Sequence, residues 1–139
     1  SKVEEIVKEI ATEMGFEYDF NLSFDNKYSG FYFWKSDWRV LSLGFQFQNY
    51  DKDFIYGLCR EREVDSRDVL TLEVISAFEL LKGKSSSWWP FYKSMDAPYS
   101  NWSLKMKEPW LAIIDGTIKD VIKYRVEEII GYSKEISGI

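Results

Sequence analysis

Histidine is absent from the 139 residues, and cysteine occurs once, at Cys59. The missing imidazole excludes histidine-based chemistry within this chain: Ser-His-Asp and Cys-His nucleophiles, HExxH zinc sites and histidine general bases. A single thiol excludes an internal disulfide and a cysteine-cluster metal site. We therefore predict neither a metal nor a cofactor, and we expect Cys59 to be an inert thiol buried in a strand.

Long apolar runs are missing as well. The longest uninterrupted run extends from Trp110 to Ile114, whereas a membrane-spanning helix needs about 20 residues. No signal peptide or lipidation motif is visible, so we expect an intracellular, cytoplasmic protein without a membrane partner. The length is that of one domain, and a start at Ser1 without a methionine favours a single domain, residues 1–139, excised from a longer protein.

Aromatic residues, by contrast, are abundant and unevenly placed. The chain has 6 Trp, 9 Tyr and 10 Phe, and fifteen of them lie between Phe16 and Tyr56. Because aromatic side chains favour strands, this cluster indicates a sheet. The formal net charge of −5 argues against a general polyanion binder. Residues 82–107 depart from this acidic balance, because they hold five lysines and a single acid together with several further aromatic residues.

Hydrophobic periodicity predicts the elements. Apolar residues spaced three and four apart from Val3 to Met14 predict an amphipathic helix over 2–14 that stops at Gly15. Period-two alternation and short polar turns then predict four strands between Tyr18 and Arg62. Short turns between successive strands are typical of an antiparallel meander.

Two later helices complete the predicted fold. Asp65 or Ser66 can cap a helix over 67–81, and Pro109 is a favoured first-turn residue for a last helix over 109–136. The predicted class is α+β, with an N-terminal helix, a four-stranded antiparallel meander and two C-terminal helices packed on one sheet face. Residues expected in the core are Ile6, Ile10, Leu41, Leu43, Phe45, Leu70, Val74, Phe78, Ile114, Ile118 and Val121.

The segment 82–107 lacks clean periodicity and is predicted to be a long loop, which in a compact domain is often functional. Nucleobases stack on aromatic rings, and lysine neutralises phosphates. The alternative is a loop folded over the core, with its tryptophans as anchors and its lysines in solvent. The candidate residues for binding a nucleic acid or a protein partner are Lys84, Trp88, Trp89, Lys93, Trp102, Lys105 and Lys107.

Acidic residues suggest a second kind of site. Asp25-x-Lys27 matches the (D/E)xK half-motif of metal-dependent nucleases, in which carboxylates hold Mg²⁺ and the lysine positions the attacking water. Asp19 would be the required upstream acid. The alternative is a hairpin turn with a solvated lysine. A further acidic run over residues 61–68 is interleaved with arginines, which favours a salt-bridged strand end and helix start over a cation site.

Landmarks along most of the chain carry a family resemblance. In chain order they are Trp38, Leu43-Gly44-Phe45-Gln46-Phe47, Tyr56-Gly57-Leu58, Trp88-Trp89, Trp102 and Trp110-Leu111-Ala112-Ile113-Ile114-Asp115-Gly116. Over about residues 30–136 the chain resembles the C-terminal portion of bacterial PD-(D/E)XK nuclease-superfamily proteins. The resemblance implies an accessory domain whose nuclease core lies upstream. No catalytic residue carries over, because none of the three prolines is followed by aspartate.

These observations lead to three functional hypotheses. The first is a non-catalytic binding or interaction domain, accessory to a nuclease-like enzyme, that contacts nucleic acid or a protein partner through residues 82–107. The alternative is a metal-dependent nuclease that uses Asp19, Asp25 and Lys27. The third is an aromatic-lined pocket for a small ligand. The broad apolar face of the last helix also predicts a homodimer formed through residues 109–136.

Overall fold

A computed structural model describes residues 1–60 and 68–139, and of residues 68–70 it describes the backbone alone. In chain order the elements are α1 (Lys2–Met14), β1 (Glu17–Phe20), β2 (Ser29–Trp34), β3 (Leu41–Asn49), β4 (Lys52–Arg60), α2 (Asp68–Ala77), a 3-10 turn (Glu79–Leu81), β5 (Phe91–Ser94), α3 (Lys107–Asp115) and α4 (Ile118–Ser133). The predicted α+β class is confirmed, with five antiparallel strands where the sequence predicts four.

Helix α1 begins and ends where its sequence predicts. The Ser1 hydroxyl accepts a hydrogen bond from the Glu4 amide at 3.2 Å, which satisfies one of the unpaired donors of the first turn. Gly15 ends the helix in the left-handed region, at φ 72°. On the surface, Lys119 of α4 lies 2.7 Å from Glu13, so an ion pair joins the two helices.

The five strands follow the order β1-β2-β3-β4-β5, so each strand pairs with its neighbour in the chain. Strand β5 lies within the segment that the sequence predicts to be a loop, and that prediction is wrong for these residues. Phe91 pairs with Leu58 and Tyr92 with Gly57. The four residues of β5 are too few to show a period of two in the sequence. The strand forms because its backbone pairs with β4. Gly57 permits the close approach, because a Cβ there would lie 2.1 Å from the Phe91 carbonyl oxygen.

One face of the sheet and residues of all four helices form a single apolar core. Phe47 and Phe54 stack on this inward face with ring centroids 4.1 Å apart, and Phe31 stacks on Phe45 at 5.1 Å. The helices contribute buried apolar side chains that include Ile10, Val74, Ile113 and Ile122. The small apolar cluster on the opposite face of the sheet includes no residue of the described helices, so within residues 1–60 and 68–139 loops alone pack there.

The predicted single helix over 109–136 is wrong, because the structure divides it. Gly116, at φ 85°, ends α3, and α4 begins at Ile118. The break changes the helical register, which buries Ile118 but leaves Ile114 73% exposed, contrary to its predicted place in the core. Gly131 lies inside α4 and does not interrupt it.

Some sequence predictions lie outside the described residues. They concern the acidic run over 61–68, the start and cap of the helix predicted at 67, and the core position of Leu70. Cys59 is described, and it is buried in β4 as predicted. Among the described residues, each helix is too short or too polar to cross a membrane.

Candidate functional site: a groove on the open sheet face

A groove of about 1300 Å³ crosses the sheet face that the helices leave uncovered. Strand alternation determines what forms its floor, since successive side chains point to opposite faces. Tyr32 of β2 pairs with Gly44 of β3, and Gly44 pairs with Gly57 of β4. Two residues further along the strands, Ser42 pairs with Cys59. The floor is therefore made of small and polar residues, in contrast to the phenylalanines of the inward face.

Trp89 forms one wall of the groove. Its indole lies above Gly44, where a Cβ would be only 2.8 Å from the ring carbon Cη2 of Trp89 and 3.0 Å from the sulfur of Cys59. The ring packs on Ile55 and Cys59 and is 8% exposed. A turn holds it in place, because the Ser86 amide donates to the Trp89 carbonyl at 2.8 Å. The absence of a side chain at Gly44 thus lets the indole of Trp89 approach the sheet closely.

Trp88 lies at the rim of the groove and, unlike Trp89, is largely exposed to solvent. The Arg60 amide donates to the Trp88 carbonyl at 2.9 Å, which fixes the backbone of this turn at the end of β4. The indole itself is 56% exposed. Trp34 and Trp38 also line the groove and are half-buried. Large aromatic rings with one accessible face are suited to stacking against a ligand.

A chain of amide hydrogen bonds crosses the floor. Gln48 Nε2 donates to Gln46 Oε1 at 2.7 Å, and Gln46 Nε2 donates to the Tyr32 hydroxyl at 2.7 Å. At the far side, Asn21 Oδ1 accepts from the Gly30 amide at 2.9 Å. Within the described part of the chain, Gln48 Oε1 and Asn21 Nδ2 make no hydrogen bond. Both can therefore bind a polar ligand group without breaking an internal contact.

The charges of the groove nearly balance. Asp19 is the acidic lining residue, and Arg39 and Arg60 are the basic ones among the residues that the structure describes. Arg39 Nη1 already donates to the Ser36 carbonyl at 2.6 Å, and Arg60 Nη2 donates to the Thr71 hydroxyl. Each guanidinium group keeps its positive charge and further N–H donors, and Arg60 Nε is buried with no hydrogen-bond partner among the described residues.

The predicted binding residues separate into two groups. Trp88 and Trp89 line the groove, whereas Trp102 is 1% exposed and packs in the core, with its ring centroid 5.0 Å from that of Phe47. The Trp102 indole donates to the Tyr99 carbonyl at 2.9 Å. For Trp102 the structure therefore agrees with the alternative, in which a tryptophan of this segment anchors it to the core.

The predicted lysines lie away from the groove. Lys84, Lys105 and Lys107 are exposed, and Lys93 pairs with Tyr56 in the sheet. The backbone of Lys84 forms a bridge with that of Tyr92. Among the described residues that line the groove there is no lysine.

The residues of the predicted nuclease site are also placed differently. Asp19 lines the groove, whereas Asp25 and Lys27 lie in the connection between β1 and β2 and are not among its lining residues. The Lys27 ammonium lies 5.3 Å from the centre of the Tyr28 ring. In the described ranges, 1–60 and 68–139, no group of three acidic, histidine or cysteine side chains could hold a metal ion.

A second polar cluster lies on the helical side of the sheet. The Tyr56 hydroxyl donates to Glu128 at 2.8 Å, and Arg125 binds Asp96 at 2.6 Å while its guanidinium lies 5.0 Å from the Tyr56 ring centre. Burial, together with the bond to Glu128, raises the pKa of Tyr56 far above its usual range. The hydroxyl therefore stays protonated, and the cluster connects β4 to α4.

The sequence predictions did not identify the floor of the groove. A signal was present, since Ser42, Gly44, Gln46 and Gln48 alternate with the apolar residues of β3. Small and polar residues at alternate positions predict that one face of β3 points away from the core. They do not predict that loops surround this face and form a groove. Comparison with protein-family models, curated proteins and solved structures finds no match to this chain.

Proposed function

We propose that this protein is a binding domain without catalytic chemistry of its own, and that it takes its ligand in the groove on the open sheet face. The observation that carries the proposal is an aromatic-lined groove on the uncovered face, with Trp88 56% exposed at its rim. Exposed large rings around a concave site with a few convergent polar groups are typical of ligand sites.

The polar floor supports the same proposal. Gln46 and Gln48 are held in defined positions by their own hydrogen bonds, so a ligand would meet amides that are already oriented. A preorganised site binds with a smaller entropic cost than one that must order its side chains. Accessory association with a nuclease-like enzyme, a bacterial source and a cytoplasmic location remain predictions from the sequence.

Fluorine labelling can test the proposal without knowledge of the ligand. The 6 tryptophans, replaced by 5-fluorotryptophan, give six ¹⁹F signals that single Trp→Phe variants assign. A panel of nucleotides, peptides, sugars and aromatic acids is then added. We expect a binding compound to shift the signals of Trp34, Trp38 and Trp88. Trp102, in the core, and Trp110, half-buried and not among the lining residues, are the internal control, and their signals should not shift.

Two results would contradict the proposal. In the first, a compound binds tightly but shifts only signals outside the groove. In the second, no compound of any class in the panel shifts the Trp88 signal at millimolar concentration.

Single-stranded nucleic acid is a second candidate ligand, favoured by the exposed Trp88 together with the exposed Lys84 on the same segment. The triple replacement of Lys84, Lys93 and Lys105 by Ala should weaken oligothymidylate binding and flatten its salt dependence. Each lost phosphate contact removes about 0.7 from the log–log slope for a single strand. An unchanged slope in the triple variant would contradict this candidate.

The homodimer remains part of the proposal, now through α3. Leu111 and Ile114 of this helix, with Leu104 just before it, are exposed apolar side chains. Contact with a second copy would remove them from water. Sedimentation should then show a species of twice 16.5 kDa at micromolar concentration, and Ile114→Asp should reduce it to the single chain. A 16.5 kDa species at all concentrations would argue against the dimer.

A further inference from the structure

We infer that the ligand of the groove is an uncharged oligosaccharide, bound through ring stacking on the tryptophans and through hydroxyl contacts with the floor amides. This inference rests on the proposed binding function and deepens it. Three properties of the groove carry it: the kinds of side chain that line it, the balance of its charges and its size.

The described lining favours an amphipathic ligand over a simple apolar one. Among the described residues that line the groove there is no leucine, isoleucine, valine or methionine. Acyl chains and other aliphatic ligands are held by such side chains, because apolar burial is their main driving force. The lining instead combines seven aromatic residues with three side-chain amides. A site of this kind suits a ligand that has an apolar face and a polar edge.

The charge balance favours a neutral ligand. One carboxylate and two guanidinium groups line the described groove, and both guanidinium groups already donate to protein acceptors. The chain as a whole carries a net charge of −5. A polyphosphate backbone entering this groove would meet two cations and one carboxylate in the described lining, within the field of an acidic chain.

A sugar ring matches the two kinds of side chain. Its C–H groups form an apolar face that packs on an indole, and its hydroxyls donate and accept hydrogen bonds around the edge. Trp88 offers an accessible ring at the rim. Gln48 Oε1 can accept from a hydroxyl, and Asn21 Nδ2 can donate to one, because within the described part of the chain neither atom makes a hydrogen bond.

The size of the groove favours several linked rings over one. Its volume of about 1300 Å³ exceeds the 300–1,000 Å³ of common small-ligand clefts. Trp34, at the end of β2, and Trp88, beside the end of β4, are separated by strand β3. Neighbouring strands lie about 4.8 Å apart, so the two indoles can stack against different rings of one chain.

The test uses neutral hexasaccharides of glucose, xylose, mannose and N-acetylglucosamine as probes, with calorimetry and the ¹⁹F signals as readouts. We expect at least one probe to bind and to shift Trp88. Between 50 and 500 mM NaCl the Kd should change by less than about twofold, because no charge is neutralised.

Variants test the assigned contacts. Trp88→Ala should weaken binding about tenfold, which corresponds to one lost stacking contact, and Trp88→Phe should restore part of the loss. Gln48→Met should weaken it severalfold. Tyr124→Ala is the matched control, because Tyr124 is an exposed aromatic residue on α4 and does not line the groove. Its Kd should match that of the unaltered protein.

The outcomes separate this inference from the binding function itself. If nucleotides or aromatic acids shift Trp88 and no hexasaccharide does, the sugar assignment is overturned while the binding function stands. If Tyr124→Ala weakens sugar binding as much as Trp88→Ala does, the assigned site is wrong. If no class of compound reaches the groove, both proposals fail.

Discussion

The two faces of the sheet are made by the same strands and differ in almost every physical property. On β3, Leu43 and Phe45 belong to the buried core with the helices, while Gly44 and Gln46 alternate with them on the open face. The inward face is filled by stacked rings. On the open face the glycine leaves a space, and Trp89, which comes from a distant turn, occupies it. The sheet thus stabilises the fold with one face and presents oriented polar groups with the other.

Two of the three tryptophans in the segment 82–107, Trp102 and Trp88, make this comparison measurable, and replacing them gives the largest expected effect. Trp102→Ala removes a ring that packs among Phe47 and Phe54, so it should lower the free energy of unfolding by about 3–5 kcal/mol. Trp88→Ala removes a mostly exposed ring and should change it by about 0.5 kcal/mol or less. Urea unfolding of both variants measures the difference, and equal losses would contradict the assignment of Trp88 to the rim.

Glycine replacements test the wall of the groove. A Cβ at Gly44 would be 2.8 Å from Trp89, so Gly44→Ala should displace that ring and cost about 1–3 kcal/mol of stability. Gly131→Ala is the control, since its Cβ would meet nothing within 4 Å inside helix α4. There the change should stabilise the protein by about 0.5–1 kcal/mol. If both variants unfold alike in urea, Trp89 does not lie against Gly44 in solution.

A smaller effect is expected from the polar cluster behind the inward face. Tyr56→Phe removes the hydrogen bond to Glu128 while keeping the ring, and it should lower the free energy of unfolding by about 1–2 kcal/mol. Tyr124→Phe is the control, because its hydroxyl makes no hydrogen bond within the described ranges. Thermal unfolding that shows no difference between the two variants would contradict the contribution of this cluster.

The smallest effect concerns surface charge. Hydrogen bonds from Lys119 and Lys123 lower the pKa of Glu13 below its usual value. A carboxyl group with a lowered pKa in the folded state stabilises the protein above its unfolded pKa, and this contribution is lost as the pH falls through the folded pKa. The unfolding temperature of Glu13→Gln should therefore lie slightly below that of the unaltered protein at pH 7. The two unfolding temperatures should converge as the pH falls. A difference between them that grows in acid would contradict this prediction.

The elements that local sequence determines are the ones that the sequence predicts accurately. Helix α1 follows from its apolar stripe and Gly15, and β3 follows from its alternation, because both signals extend over several repeats. Strand β5 and the break at Gly116 were missed for a common reason. Strand β5 depends on pairing with β4, which is distant in the sequence. The break at Gly116 depends on which apolar residues of the segment 109–136 pack against the core.

The candidate site was predictable in its parts and not in its arrangement. The aromatic segment and the polar alternation of β3 are both visible in the sequence, and Trp88 and Trp89, which the sequence predicts to be binding residues, both line the groove. The sequence does not predict that Trp88 is exposed and Trp89 buried, because the two residues are identical and adjacent. Their different exposures follow from a turn in which Ser86 holds Trp89 against the sheet, while the Trp88 carbonyl binds Arg60 and its ring faces solvent.

The packing of Trp89 on Cys59 has a consequence for the study of motion. Cys59 is the one cysteine of the chain, and it is buried under the wall of the groove. Cys59 lines the groove and is 9% exposed, so a thiol reagent should reach its sulfur faster when the indole moves away, and the labelling rate should report this motion. No engineered cysteine is needed for this measurement. The chain therefore carries its own kinetic probe of the groove, and a ligand that holds Trp89 in place should slow the labelling.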